Sequence, residues 1–232
     1  MSNILMVLSA ADTWTRTDGS TYASGVWAEE FVVLHEELVQ AGYRVDIATP
    51  GGRAPTIDPH SLEPTAAGPH LDHFKAYLRS VSGSLAAPLR LSDVSVAGYD
   101  VVAIPGGHGP VEDLYRDPDM GRILGAAEAA GRIIASVCHG PAALLSASTP
   151  DGWWPFAGRR MTAFSDEEEV AFGTADNAPW LLATRLKELG ASYERGPQWQ
   201  AYVVRDGNLI SGQNPASTGP LAEAVLEALR GA

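Results

Sequence analysis

The chain of 232 residues is 45% hydrophobic and 19% charged, with a formal net charge of −12 and a pI near 4.8. This composition is typical of a folded globule, and the length fits one domain over residues 1–232. The acidic balance argues against nonspecific binding to nucleic acid or anionic membranes, because like charges repel. We expect a cytoplasmic protein, since the sequence shows no basic leader, no bilayer-length apolar run and only one cysteine.

Short apolar runs alternate with helical patterns along the chain. Runs at 3–9 and 43–50 predict strands, and between them apolar residues recur at helical spacing until Gly42. Further strands are predicted at 100–107 and 132–138, a β-extension at 192–196, a hairpin about Asp206-Gly207 over 202–213, and helices at 120–131, 141–148, 179–191 and 219–232. This order predicts a flavodoxin-like α/β three-layer sandwich, with a mostly parallel central sheet and helices on both faces.

Residues 51–98 interrupt this alternation. The segment is rich in proline, glycine and histidine, which predicts an irregular insertion of the kind that often carries function. Three histidines and an acid could suggest a metal site there: His60, His70, His73 and Asp72. A metal site generally needs further ligands on a fixed element, so we expect no metal and no cofactor.

The single cysteine lies in "IIASVCHGPAALL" (133–145), at the end of a predicted strand and directly before a predicted helix. Parallel sheets bind ligands at this edge, and a sharp strand-to-helix turn is the geometry of a nucleophile elbow. A lone cysteine in an apolar run is more often a core residue. His139 favours catalysis at Cys138, because an adjacent imidazole can serve as base and then as acid. A helix N-terminus at this point would lower the thiol pKa.

A glycine turn ends the strand predicted at 100–107. In "PGGHGP" the backbone N–H groups of Gly106, Gly107 and His108 could form an oxyanion hole. The His108 side chain could line the same pocket, although an exposed histidine on a glycine turn fits its side chain as well.

Three segments resemble the ThiJ/PfpI superfamily, which has the class I glutamine amidotransferase-like fold: "PGGHGPVEDLYRDPDM", "GRIIASVCHGPAALL" and "SGQNPASTGPLAEAVLEAL". "TIDPHSLEPTAAG" (56–68) and the Gln-Asn-Pro-Ala-Ser stretch are similar to the branch with heat-shock chaperone-like proteins and glyoxalase III. The resemblance implies that Cys138 is the nucleophile, His139 its partner and Glu30 the carboxylic acid beside the thiol. A carboxyl group buried against a thiolate should be protonated.

The resemblance also implies an acid that orients the histidine, located after the next strand. Here that segment is "AFSDEEEVAF", which offers Asp166, Glu167, Glu168 and Glu169. A run of acids is usually a solvated face, and its register is open. We predict that Glu168, rather than Glu169, orients His139.

The function implied by the resemblance is a glutathione-independent glyoxalase that converts methylglyoxal or glyoxal to the 2-hydroxy acid. Alternatives are a stress-linked holding chaperone, a protein deglycase, and an isonitrile hydratase or amidase at the same cysteine. Glutamine amidotransferase activity is disfavoured because no histidine follows His139. We expect a small electrophilic substrate and a homodimer, with "GWWPF" (152–156) serving in packing or at the dimer surface.

Overall fold

The computed structural model describes residues 3–231. The strands are β1 (Asn3–Val7), β2 (Thr13–Thr15), β3 (Thr21–Ala23), β4 (Arg44–Thr49), β5 (Leu89–Arg90), β6 (Val101–Ile104), β7 (Ile133–Val137), β8 (Arg160–Met161), β9 (Ser192–Tyr193), β10 (Val203–Asp206) and β11 (Leu209–Gly212). The α-helices are α1 (Ala28–Gln40), α2 (Pro64–Ala67), α3 (Leu71–Ser80), α4 (Ser82–Ala86), α5 (Pro118–Ala129), α6 (Asp166–Phe172), α7 (Leu182–Glu188) and α8 (Thr218–Arg230). Within residues 3–231, no helix is long and apolar enough to cross a membrane.

Seven strands form the main sheet, in the order β10-β11-β7-β6-β1-β4-β5. Every neighbouring pair is parallel except β10 and β11, which form the predicted antiparallel hairpin. Strands β6 and β7 are buried along their whole length, as expected for strands that are covered on both faces. The predicted mostly parallel sheet is therefore confirmed.

The side chains of β1 alternate between two apolar clusters. Ile4 and Met6 pack in a cluster with residues of α1, α3 and α8. Leu5 and Val7 pack in the other cluster, with residues of α5 and α7. Successive side chains of a strand point to opposite faces, so the sheet has a helical layer on each side. The three-layer flavodoxin-like sandwich is confirmed.

The segment 51–98 is more regular than predicted. It contains α2, α3 and α4 and returns to the edge of the sheet as β5, which pairs with β4. In α3, Leu71, Phe74 and Leu78 recur at helical spacing, and Phe74 is buried against the core. The prediction of an irregular insertion is wrong for α3, because the surrounding prolines and glycines obscured a short amphipathic pattern.

Two elements after β7 differ from their predictions. The helix predicted at 141–148 is a 3-10 helix over Gly140–Ser146, buried from Gly140 to Leu144, where packing prevails over local helix propensity. The predicted extension at 192–196 forms β9, which pairs with β8 outside the main sheet.

The aromatic stretch 152–156 divides between core and surface. Phe156 is fully buried and Trp154 packs against the cluster that contains α5. Trp153 is 75% exposed. Packing therefore accounts for two of the three aromatic side chains.

Candidate active site

Cys138 occupies a strained turn directly after β7. Its φ is 60°, in the left-handed region that residues other than glycine rarely adopt. Its N–H donates to the Gly212 carbonyl at 2.9 Å, and its carbonyl accepts from the Phe164 N–H at 2.9 Å. These bonds hold the turn at the carboxyl edge of the sheet, with the side chain only 4% exposed. The predicted elbow geometry is confirmed.

Glu30 reaches the thiol from the first turn of α1. The side chain is fully buried, and its Oε2 accepts a hydrogen bond from the Gly106 N–H at 2.6 Å. Burial raises the pKa of Glu30 to about 8, with hydrogen bonds from Gly106 and Cys138 acting in the opposite direction. The group is therefore a neutral acid at neutral pH, as expected for a carboxyl group beside a thiol.

The Cys138 thiol is not acidified by its surroundings. Burial raises the pKa of Cys138 well above its ordinary value, and the neighbouring Glu30 carboxyl group raises it further. A hydrogen bond from the Gly107 N–H acts in the opposite direction. The expected lowering by a helix N-terminus is wrong, because burial outweighs the dipole of one short 3-10 segment. The resting side chain is a thiol and needs a base.

His139 lies between the thiol and a carboxylate. Its Nδ1 is 3.4 Å from Cys138 Sγ, and its Nε2 is 2.5 Å from Glu169 Oε1. The Glu169 carboxylate accepts a hydrogen bond from Nε2–H, which leaves the Nδ1 lone pair facing the sulfur. Burial, and then the neighbouring His108, lower the pKa of His139. A neutral imidazole in this tautomer can take the thiol proton.

Glu169, and not Glu168, orients His139. Glu168 is the third residue of α6, and its Oε2 accepts from the N–H and hydroxyl of the N-cap residue Ser165, forming a capping box. This turns the Glu168 side chain back toward the start of its own helix. The prediction of Glu168 is therefore wrong, and the Ser-x-x-Glu signature at 165–168 was the signal that could have corrected it.

Glu169 is shared between two imidazoles. Its Oε2 lies 3.5 Å from His108 Nε2 and also accepts from the Thr174 hydroxyl. Burial alone would raise the pKa of Glu169, but His139 and His108 outweigh it and hold this pKa well below its ordinary value. The carboxylate is ionised. Neither its contact with His108 nor its contact with Thr174 could be predicted from the sequence.

The glycine turn lies against both Glu30 and the elbow. A Cβ on Gly106 would lie 2.6 Å from the backbone nitrogen of His139. A Cβ on Gly107, whose φ is +84°, would lie 2.3 Å from the Gly25 carbonyl oxygen. No side chain fits at either position. The Gly106 N–H is engaged by Glu30, so its prediction as an oxyanion donor is wrong. The Gly107 N–H contacts the thiol, and it remains a predicted oxyanion donor.

The histidines of the 51–98 segment do not converge. His60 contacts Asp58 at 2.9 Å, and His73 contacts Glu36 at 2.8 Å. Among residues 3–231, potential metal-ligand atoms lie within 4.8 Å of one another in a single group of three side chains: His108, His139 and Glu169. These three side chains contact one another directly, His108 and His139 each through Glu169.

A cavity of about 30 Å³ lies in front of the thiol. His108 and Gly107 line it as predicted, together with aromatic side chains that no sequence motif indicated: Trp27, Phe164, Phe172 and Trp199. A second chamber of about 540 Å³ lies outside it and shares several of its walls. A small carbonyl compound entering from this chamber would meet the thiol, an acid and a base.

Comparison with known proteins agrees with the motifs. Residues 21–228 match the profile of the DJ-1/PfpI family. The chain is 31% identical over 205 residues to Glutamine amidotransferase-like class 1 domain-containing protein 1 of Bos taurus, with 88% of each chain covered. It is 28% identical over 237 residues to Glyoxalase 3 of Candida albicans, with 98% of each covered. Among solved structures, Rapid Encystment Protein 24 KDa of Francisella tularensis gives a TM-score of 0.90 at 28% identity, covering 99% of each chain.

Proposed function

Because the chain belongs to the DJ-1/PfpI family, we propose that it is a cofactor-independent glyoxalase that converts methylglyoxal or glyoxal to the 2-hydroxy acid. One observation carries the proposal: the Cys138 thiol lies between a neutral acid, Glu30, and a neutral base, His139. The similarity to the glyoxalase of Candida albicans supports this substrate class.

The first step is addition of the sulfur to the aldehyde carbon. His139 Nδ1 takes the thiol proton as the sulfur–carbon bond forms, and the carbonyl oxygen receives a proton, giving a hemithioacetal. Glu30 and His139 are the two groups placed to deliver that proton. The Gly107 and His108 N–H groups support the developing oxyanion.

The second step moves hydrogen between the two substrate carbons. The Glu30 carboxylate, once it has given up its proton, or alternatively His139, removes the proton from C1 to form an enediol. Reprotonation at C2 gives a thioester of the 2-hydroxy acid. Water then cleaves the thioester and restores the thiol. One carbon is oxidised and its neighbour reduced, so methylglyoxal plus water gives lactate without an external oxidant or reductant.

The test is lactate production from methylglyoxal by the purified protein. We expect Cys138→Ala to abolish it and Glu37→Gln, an exposed change on the same helix as Glu30, to leave it unchanged. Lactate formation by Cys138→Ala at the rate of the unaltered protein would overturn the proposal. Parallel assays with isonitriles and small amides distinguish the alternative chemistries of the same thiol.

The outer chamber favours a second candidate, deglycation, in which the carbonyl fragment is attached to a larger molecule. A volume of about 540 Å³ next to the thiol cavity could hold an amino acid side chain that carries the adduct. Lactate release from a methylglyoxal adduct of N-acetylcysteine, faster than the adduct dissociates by itself, would support this candidate. Release no faster than dissociation would leave free methylglyoxal as the substrate.

A further inference from the structure

We propose that Trp199 is a specificity-determining residue, which limits access to Cys138 to small carbonyl compounds and is positioned by Glu168, Gln213 and Asn214. The thiol cavity and the outer chamber share four wall residues: Trp27, Phe172, Trp199 and Pro215. These residues lie where the thiol cavity meets the outer chamber. The substrate class rests on the proposed function, whereas control of access to the sulfur does not.

Trp199 is the one of these four wall residues with an unusual backbone. Its φ is 60°, and it shares this left-handed conformation with Cys138 alone among the described residues other than glycine. Its ring meets Phe164 edge-on, with centroids 5.6 Å apart, and lies 6.5 Å from the Phe172 ring. Trp199 is 46% exposed, and it lines both the thiol cavity and the outer chamber.

Glu168 holds the Trp199 backbone in this conformation. The Trp199 N–H donates to Glu168 Oε1 at 2.9 Å. The carboxylate is fully buried and also accepts from Asn214 Nδ2 at 2.8 Å and from Gln213 Nε2 at 3.1 Å. A buried carboxylate with so many donors has a fixed position, and it transmits that position to Trp199.

Gln213 and Asn214 also bind the backbone on both sides of Trp199. The Gly196 N–H donates to Gln213 Oε1 at 2.8 Å, and Asn214 Nδ2 donates to the Gln200 carbonyl at 2.9 Å. The segment 196–200 is thus attached at three points to buried side chains. The Gln-Asn-Pro-Ala-Ser motif therefore supports the wall of the thiol cavity.

The size of the cavity defines what can reach the sulfur. The thiol cavity of about 30 Å³ is far smaller than the outer chamber of about 540 Å³, so a bulky group attached to the reacting end of a substrate extends toward Trp199. A hydrogen or methyl substituent on the dicarbonyl unit requires little displacement. A phenyl substituent is bulkier, and we expect it to require displacement of the Trp199 ring, which the three anchored contacts oppose.

Two measurements test the proposal. The first is the ratio of kcat/KM for phenylglyoxal to that for methylglyoxal, which we expect to rise on the order of tenfold in Trp199→Ala. The second needs no turnover: mass spectrometry follows alkylation of the single cysteine by iodoacetamide and by a pyrene maleimide. We expect the alkylation rate with the pyrene maleimide, divided by the rate with iodoacetamide, to rise by a similar factor in Trp199→Ala. In Asn214→Ala this ratio should rise by a smaller factor.

Trp153→Ala is the matched control, because it removes an exposed tryptophan that lines neither chamber. Trp199→Leu serves if the alanine variant unfolds, and thermal melting identifies that case. An alkylation ratio that is unchanged in a folded Trp199 variant overturns the proposal. If the protein consumes neither aldehyde but the alkylation ratio rises, the proposed glyoxalase function fails and control of access stands.

Discussion

His139 Nε2 lies 2.5 Å from Glu169 Oε1, and this contact sets the direction in which the site can move protons. With Nε2–H committed to the carboxylate, the Nδ1 lone pair is left facing Cys138 at 3.4 Å. The thiol pKa is raised by burial, and in the mechanism that we propose this lone pair accepts the sulfur's proton. Of the four acids at 166–169, Glu169 is thus the one that contacts His139.

Removing the Glu169 charge should prevent His139 from acting as a base while leaving its imidazole in the site. In Glu169→Gln the amide can donate to Nε2, which favours the tautomer with the proton on Nδ1. We expect kcat/KM with methylglyoxal to fall by about 10²-fold to 10⁴-fold. Glu167→Gln, in the same acidic run but paired with Arg195, is the control and should retain full activity. Equal losses in both variants would contradict the specific role of Glu169.

The raised pKa of Glu30 predicts a pH-dependent cost to stability. The folded protein binds this proton with a pKa of about 8, against an ordinary value of 4.5. Between these values the folded state holds more protons than the unfolded state, so the free energy of unfolding falls as pH rises. Glutamine does not titrate, and Glu30→Gln should therefore gain stability relative to the unaltered protein on going from pH 5 to pH 8. The expected gain is on the order of 3 kcal/mol.

Urea unfolding at pH 5 and pH 8 measures this difference. Glu37→Gln is the control, because Glu37 is exposed on the same helix. Its free energy of unfolding should follow that of the unaltered protein at both pH values. A Glu30→Gln variant that does the same would mean that the carboxyl group is already ionised in the folded protein at pH 5.

The approach of Gly106 to the elbow predicts that alanine is not tolerated there. The alanine Cβ would lie 2.6 Å from the backbone nitrogen of His139, 2.7 Å from the carbonyl oxygen of Val137 and 2.9 Å from Glu30 Oε2. We expect Gly106→Ala to lose roughly 2 kcal/mol of stability, and most of its activity, because two backbone groups must move. Gly98→Ala meets no atom within 4 Å and should be close to neutral in chemical denaturation.

The backbone of Cys138 predicts an unusual order of stability among its variants. At a φ of 60°, glycine is relaxed and alanine is strained. We therefore expect Cys138→Gly to be more stable than Cys138→Ala by about 1 kcal/mol. Thermal and urea unfolding of the two variants provide the measurement. The opposite order would show that the elbow relaxes once the thiol is gone.

The sequence by itself determined the sheet and the position of the thiol. The sequences of β6 and β7 are short, nearly continuous apolar runs followed by turn residues, the pattern typical of strands that are buried on both faces. Cys138 comes directly after such a strand, and parallel strands place their carboxyl ends at one edge. These features depend on neighbours in the chain, which local patterns report. The resemblance to a known family then pointed to Glu30, which no pattern on α1 would single out.

Only the tertiary structure decided which groups act on the thiol. Glu168 and Glu169 are adjacent and chemically identical, but Glu168 binds Ser165 and the Trp199 N–H, whereas Glu169 contacts His139. The pKa of Cys138 was likewise decided by burial, which depends on residues distant in sequence. Side-chain direction and desolvation arise from packing between separate elements, and a linear pattern does not contain them.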